Sequence, residues 1–250
     1  MSLENAIVWS FASSIPLMIG AIITRFLEID RKIVAIIMAI GSGSLISIIT
    51  FSLMREAYHL GGVVPVSVGF AIGVIIFGFG NRLIIKKFVI KTKNQDENKP
   101  TKGSGLSLAL GSLLDNIPEG LSIGITILIS GTIGFSLVIA IAISNFAEAL
   151  AGSNIMKIYK KNPNRILVLW GIVTVSNVTA SALGFMLLSG VDDAIVAILL
   201  SFAAGAILGM LAETMMPEVF KLGGSLISLA TAAGFLISFI MIIQNVYPDM

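Results

Sequence analysis

The chain has 250 residues, of which 56% are hydrophobic and only 12% charged, with a mean hydropathy of +0.99 and a formal net charge of +2. This composition excludes a soluble globular domain, where about a quarter of the residues carry charge, and the near-neutral balance gives no reason to expect a nucleic-acid partner. The absence of cysteine excludes disulfides, thiolate metal sites and thiol nucleophiles.

Apolar runs of the roughly 20 residues needed to cross a bilayer recur along the whole length. They predict an all-α polytopic membrane protein with eight spans, at 6–24, 33–54, 62–85, 104–129, 132–156, 166–189, 194–217 and 224–244, in one transmembrane domain covering 1–250. No basic residue precedes the first apolar run, so that span is expected to be retained rather than removed as a signal peptide. Spans one to three occupy 1–90, spans four and five 104–156, and spans six to eight 164–250. Between them, the polar stretch 91–103 holds Asp96 and Glu97 but no His or Cys, and is expected to be a solvated linker. Of the 16 lysines and arginines, all except Arg55 fall in the segments Arg25 to Lys32, Arg82 to Lys102 and Lys157 to Arg165, or at Lys221 in the turn before span eight. By the positive-inside rule these segments are cytoplasmic, so both termini are expected outside the cell membrane. Trp9, Tyr58 and Tyr247 near the outer face, and Tyr159 inside, read as interfacial aromatics.

Residues 39–57 and 201–219 align without gaps as small-residue runs with related endings, Met54-Arg55-Glu56 answering Met216-Pro217-Glu218. Span two runs outward and span seven inward, so the echo relates segments of opposite direction, as in an inverted-repeat transporter. A second echo sets Asp115-Asn116-Ile117-Pro118-Glu119-Gly120-Leu121 in span four against Ser144-Asn145-Phe146-Ala147-Glu148-Ala149-Leu150 in span five. Together they suggest a three, two, three arrangement.

Carboxylates in spans four and five are the chemically informative feature. An ionised acid at bilayer mid-depth costs roughly 2.5 to 3.5 kcal/mol on insertion scales, so such residues face a cavity and bind something. Helical spacing aligns Asp115 with Glu119 and Asn145 with Glu148, with Asn116 beside the first pair. No Lys or Arg in a span core neutralises them, which leaves a divalent cation or protons to do so. Pro118 cannot donate to the Leu114 carbonyl and is expected to kink the helix beside the acids. Gly120 and Gly124 form a GxxxG packing step, and Ala147, Ala151 and Gly152 give span five small side chains. Asn177 in span six either adds an oxygen to the site or makes an interhelical hydrogen bond. Glu56 and His59 at the outer end of span two, with Glu213 and Glu218 toward the inner end of span seven, are either waypoints for an ion or interfacial charges.

At these residues the chain resembles the ZIP (ZRT/IRT-like) metal transporter family. Residues 115–121 are similar to that family's His-Asn-x-Pro-Glu-Gly-Leu signature, and 144–150 to its partner in the fifth span. Residues 52–57 are similar to the His-x-x-Pro-Glu-Ala ending of span two, and 213–218 to the Asp-Glu-x-x-Pro-Glu ending of span seven. The resemblance covers the whole length and implies eight helices in inverted halves, a homodimer, and movement of zinc, iron or manganese toward the cytoplasm. It also implies metal ligation by Asp115, Asn116, Glu119, Asn145 and Glu148, with Asn177 replacing an acid of the sixth helix. Asp115 and Ser144 stand where histidines are usual, and Ala147 and Arg55 where prolines are usual. Oxygen ligands suit harder ions than imidazole does, although zinc accepts carboxylates.

The leading expectation is a divalent metal permease working by alternating access, with no organic cofactor and no enzymatic activity. No Walker motif supports an ATP-driven pump, and an intramembrane hydrolase would need a His-Glu-x-x-His motif, a Ser/His pair or two catalytic aspartates. A cation/proton antiporter of other selectivity and a non-transporting metal sensor remain the alternatives.

Overall fold

The computed structural model describes residues 2–88, 104–131, 134–158 and 162–246. The expected linker 91–103 with Asp96 and Glu97, and the aromatics Tyr159 and Tyr247, lie outside these residues. Among them are ten α-helices: α1 (Leu3–Phe26), α2 (Arg31–Ile48), α3 (Met54–Gly61), α4 (Val63–Phe88), α5 (Ser104–Ser130), α6 (Phe135–Ile158), α7 (Pro163–Leu187), α8 (Asp193–Met210), α9 (Met216–Gly223) and α10 (Ile227–Val246). One π-helical turn, Ile49–Leu53, joins α2 to α3, and another, Leu211–Met215, joins α8 to α9. These make eight helical stretches long and apolar enough to cross a membrane. The protein is an all-α, multi-pass membrane protein.

The second and seventh spans are longer than their hydropathy predicts. They continue through the π turns into α3 and α9, so Arg55, Glu56, His59, Glu218 and Lys221 lie on helices rather than in connecting turns. The reason is amphipathicity: Ala57 and Val219 are buried, while Tyr58, His59, Phe220 and Lys221 are exposed. Alternating polar and apolar positions lower the mean hydropathy without breaking the helical pattern.

The inverted repeat is visible residue by residue. One constant shift in numbering carries N-cap Asp30 onto N-cap Asp192, α2 onto α8, the first π turn onto the second, α3 onto α9, and Gly62 onto Gly224. Both aspartates accept a backbone N–H two residues on, Lys32 at 2.7 Å and Ala194 at 2.9 Å, which satisfies a donor the helix start would otherwise leave unpaired. Both glycines take positive φ, 72° and 63°, a conformation that a Cβ disfavours.

Packing follows the same symmetry. Helix α2 packs on α10, and its counterpart α8 packs on α4. A Cβ at Gly43 of α2 would collide with the Thr231 carbonyl of α10, and one at Gly205 of α8 with the Phe70 carbonyl of α4. Without a strong hydrophobic force between helices in lipid, such close backbone approach supplies much of the association through van der Waals contact. Helix α1 packs on α6 and α7, and α5 on α7 and α6. Hydrogen bonds from Ser181 to the Ala6 carbonyl and from Thr174 to the Ser14 carbonyl pair rising numbers on α1 with falling numbers on α7. The first and sixth spans are therefore antiparallel, as inversion requires. Only 22% of the most apolar stretch of α4 and of α10 is buried, against 67% in the second and seventh spans. Helices α4 and α10 are thus peripheral, and the site helices α5 and α6 lie inside.

Candidate functional site

Helix α5 contributes Ser112, Asp115, Asn116 and Glu119, which recur at three- and four-residue intervals on one face. Helix α6 contributes Ser144, Asn145 and Glu148, and α7 contributes Asn177. All eight side chains are buried, with Asn116, Glu119, Ser144, Asn145 and Asn177 at 0% exposure. Gly120 and Gly124 set the depth at which α7 meets α5, since a Cβ at either would strike the carbonyl of Asn177 or Ser181. The expected GxxxG packing step is therefore what brings Asn177 against Asn116. Pro118 lies inside α5, which runs unbroken as a helix from Ser104 to Ser130.

The amides form a chain across four helices. Asn177 Nδ2 donates to the Asn116 carbonyl at 3.2 Å and to Asn116 Oδ1 at 3.1 Å. Asn116 Nδ2 donates to Asn145 Oδ1 at 3.3 Å and to the Ser112 carbonyl at 2.8 Å. Asn145 Nδ2 donates to the Ser13 carbonyl of α1 at 3.0 Å. Asn116 and Asn145 thus act chiefly as interhelical fasteners, and the amide oxygen of Asn177 is left without a partner.

The three carboxylates are treated unequally. Glu148 accepts from Ser112 Oγ at 2.6 Å and from Ser144 Oγ at 3.3 Å, one hydroxyl to each oxygen. Neither oxygen of Glu119 has a hydrogen-bond partner, and Asp115 Oδ1 has none. Asp115 lies within electrostatic reach of both glutamates, and Glu119 of Glu148. Buried anions that repel one another and lack donors are costly unless something positive accompanies them. The three carboxylates share a buried neighbourhood. Among the described residues no group of three or more His, Asp or Glu side chains is arranged to hold a metal ion.

The flanking residues separate into two sets. Glu218 on α9 is half-buried and acts electrostatically on Glu148. Glu213, in the second π turn, is exposed, and Asn81 Nδ2 of α4 donates to its Oε2 at 3.2 Å. Glu56 is half-buried on α3, and His59 is exposed with its ring 6.2 Å from that of Tyr58. Ser144 also contacts Met215 Sδ at 3.6 Å, which links the site to the π turn of the seventh span.

Ser112 was not singled out by motif spacing, although its position three residues before Asp115 put it on the acid face. Its hydroxyl orients Glu148 and leaves that carboxylate's other lone pairs available. Ser112→Ala is expected to destabilise the protein by about 1 to 3 kcal/mol, because a buried carboxylate loses a hydrogen bond, measured by thermal melting of purified protein. The sequence matches no protein-family model and no curated protein.

Proposed function

We propose that this chain is a divalent metal cation transporter, similar to the ZIP family, that carries zinc, iron or manganese toward the cytoplasm by alternating access. The observation that carries the proposal is Glu119: a fully buried carboxylate in a membrane span, with neither oxygen bonded, beside two further acids. A doubly positive substrate compensates that arrangement, whereas helix association alone needs no such group.

Asp115, Glu119 and Asn177 offer the open oxygens, and Glu148, held by Ser112 and Ser144, offers the oriented carboxylate. Small rotations of Asp115 and Glu119 toward Glu148 complete the shell when the ion arrives and its hydration water leaves. Helices α1, α5, α6 and α7, fastened by the amide chain, form the moving unit. The frame consists of α2 with α10 and α4 with α8, and the π turn after α8 meets the site where Met215 contacts Ser144. Irregular helical turns of this kind frequently mark functional positions. Glu218 then receives the ion on the inner side. The distribution of Lys and Arg supports a cell-membrane orientation with both termini outside, and the resemblance supports a homodimer.

Metal-resolved uptake into proteoliposomes tests the proposal. The parent is expected to accumulate a divalent transition metal, and Glu148→Ala to lose that uptake. Asp115→His, which exchanges a hard oxygen for imidazole, is expected to shift the zinc-to-manganese uptake ratio about 10-fold toward zinc. Metal binding without flux would support a sensor instead.

A further inference from the structure

A small cavity bordered by basic side chains lies where the C-terminal ends of α1 and α6 meet the start of α7. It encloses about 40 Å³ and is lined by Ala21, Thr24 and Arg25 of α1, Ser153 and Lys157 of α6, and Pro163 and Ile166 of α7. A water needs some 10 to 15 Å³, so the space accommodates a small polyatomic group such as the oxygens of a phosphate. Two cationic side chains border it, and its small polar lining is already committed internally. Thr24 Oγ1 donates to the Ala21 carbonyl at 3.0 Å, and Ser153 Oγ accepts the Trp170 indole N–H at 2.8 Å. At the start of α7, Asn162 accepts the backbone N–H of Asn164 with its side chain, and those of Arg165 and Ile166 with its carbonyl. Recognition at this cavity therefore rests on Arg25 and Lys157.

Among the described residues neither cation has a close charged partner. Lys157 is 3.9 Å from Glu28, whose side chain is 90% exposed, a type of pair that contributes little in water. Among the described residues Arg25 Nη1 donates to a neutral acceptor, Asn164 Oδ1, at 3.3 Å, and its guanidinium lies 5.9 Å from the ring centre of exposed Phe26. Each cation complements the C-terminal dipole of its own helix, but that role does not account for a shared open cavity between them. Basic pockets between membrane helices at the level of the headgroups select anionic lipid.

We propose that the Arg25–Lys157 cavity is a phosphate site, filled from the bilayer by the headgroup of an anionic phospholipid. The bound lipid bridges the ends of α1, α6 and α7. Three helices of the unit that carries Asn145, Glu148 and Asn177 are thereby tied together at one membrane face.

The test uses the purified full chain in detergent, with lipid retention read by native mass spectrometry and thermal melting read in parallel. The probes are phosphatidylglycerol, phosphatidylcholine and inorganic phosphate. The parent is expected to retain phosphatidylglycerol about 10-fold over phosphatidylcholine and to melt several degrees higher with phosphatidylglycerol alone. The Arg25→Gln/Lys157→Gln double variant is expected to lose that preference, while Glu119→Ala keeps it. Equal retention of the two lipids by the parent, or a preference that survives the double variant, overturns the proposal. A full thermal shift from inorganic phosphate alone overturns the lipid source. Should the double variant fail to fold, the parent decides by whether its preference collapses in high salt, as screening of an exposed and a half-buried cation requires.

Discussion

Glu119→Ala is expected to reduce divalent-metal uptake by at least about 100-fold, a larger loss than the 10- to 100-fold typical of supporting residues, while leaving the protein as stable as the parent or slightly more so. The combination follows from the site. Glu119 is fully buried and neither of its oxygens has a hydrogen-bond partner, so truncation removes no bond and relieves repulsion with Asp115 and Glu148. Removing a buried carboxylate that has no donor relieves its desolvation cost, which offsets the packing lost on truncation. Glu148→Ala behaves differently, because it strands the hydroxyls of Ser112 and Ser144, at a cost of about 1 to 3 kcal/mol. Uptake in proteoliposomes and melting in detergent separate the two. A Glu119→Ala protein that unfolds instead would show that this carboxylate has a structural role.

The second large effect lies in the frame. Gly43→Val and Gly205→Val are each expected to destabilise the protein by about 3 kcal/mol, because the new side chain meets a backbone carbonyl that cannot rotate away. For a chain of this size that loss corresponds to a drop in melting temperature of about 10 °C. The two positions are equivalent under the inverted repeat, so similar losses test the symmetry itself. Gly171 is the control: a Cβ there meets nothing within 4 Å, and Gly171→Ala is expected to be neutral or mildly stabilising through its helix propensity. Thermal melting of the three variants against the parent measures both points.

The eight crossings were legible because lipid demands long apolar runs, and the repeat was legible from 39–57 against 201–219. The π turns within those segments were not, because one extra residue in a helical turn changes the hydrogen-bond register without a compositional signature. Hydropathy also ends the second and seventh spans too early. Arg55, Glu56 and His59 depress hydropathy, yet α3 continues on its amphipathic pattern to Gly61. At the site, spacing identified Asp115, Glu119 and Glu148 as buried acids. It could not reveal that Asn116 and Asn145 bond to each other and to α1, because the choice of amide partner is made by packing between helices. Nor did spacing distinguish Glu148, bonded on both oxygens, from Glu119, bonded on neither.

Anomalous diffraction from crystals of the full chain soaked in manganese or zinc tests the central claim most directly. The account predicts one strong peak between α5 and α6, with oxygens of Glu119 and Glu148 about 2.0 to 2.2 Å from the ion. Peaks confined to the protein surface, with Glu119 unchanged and unliganded under saturating metal, would contradict it.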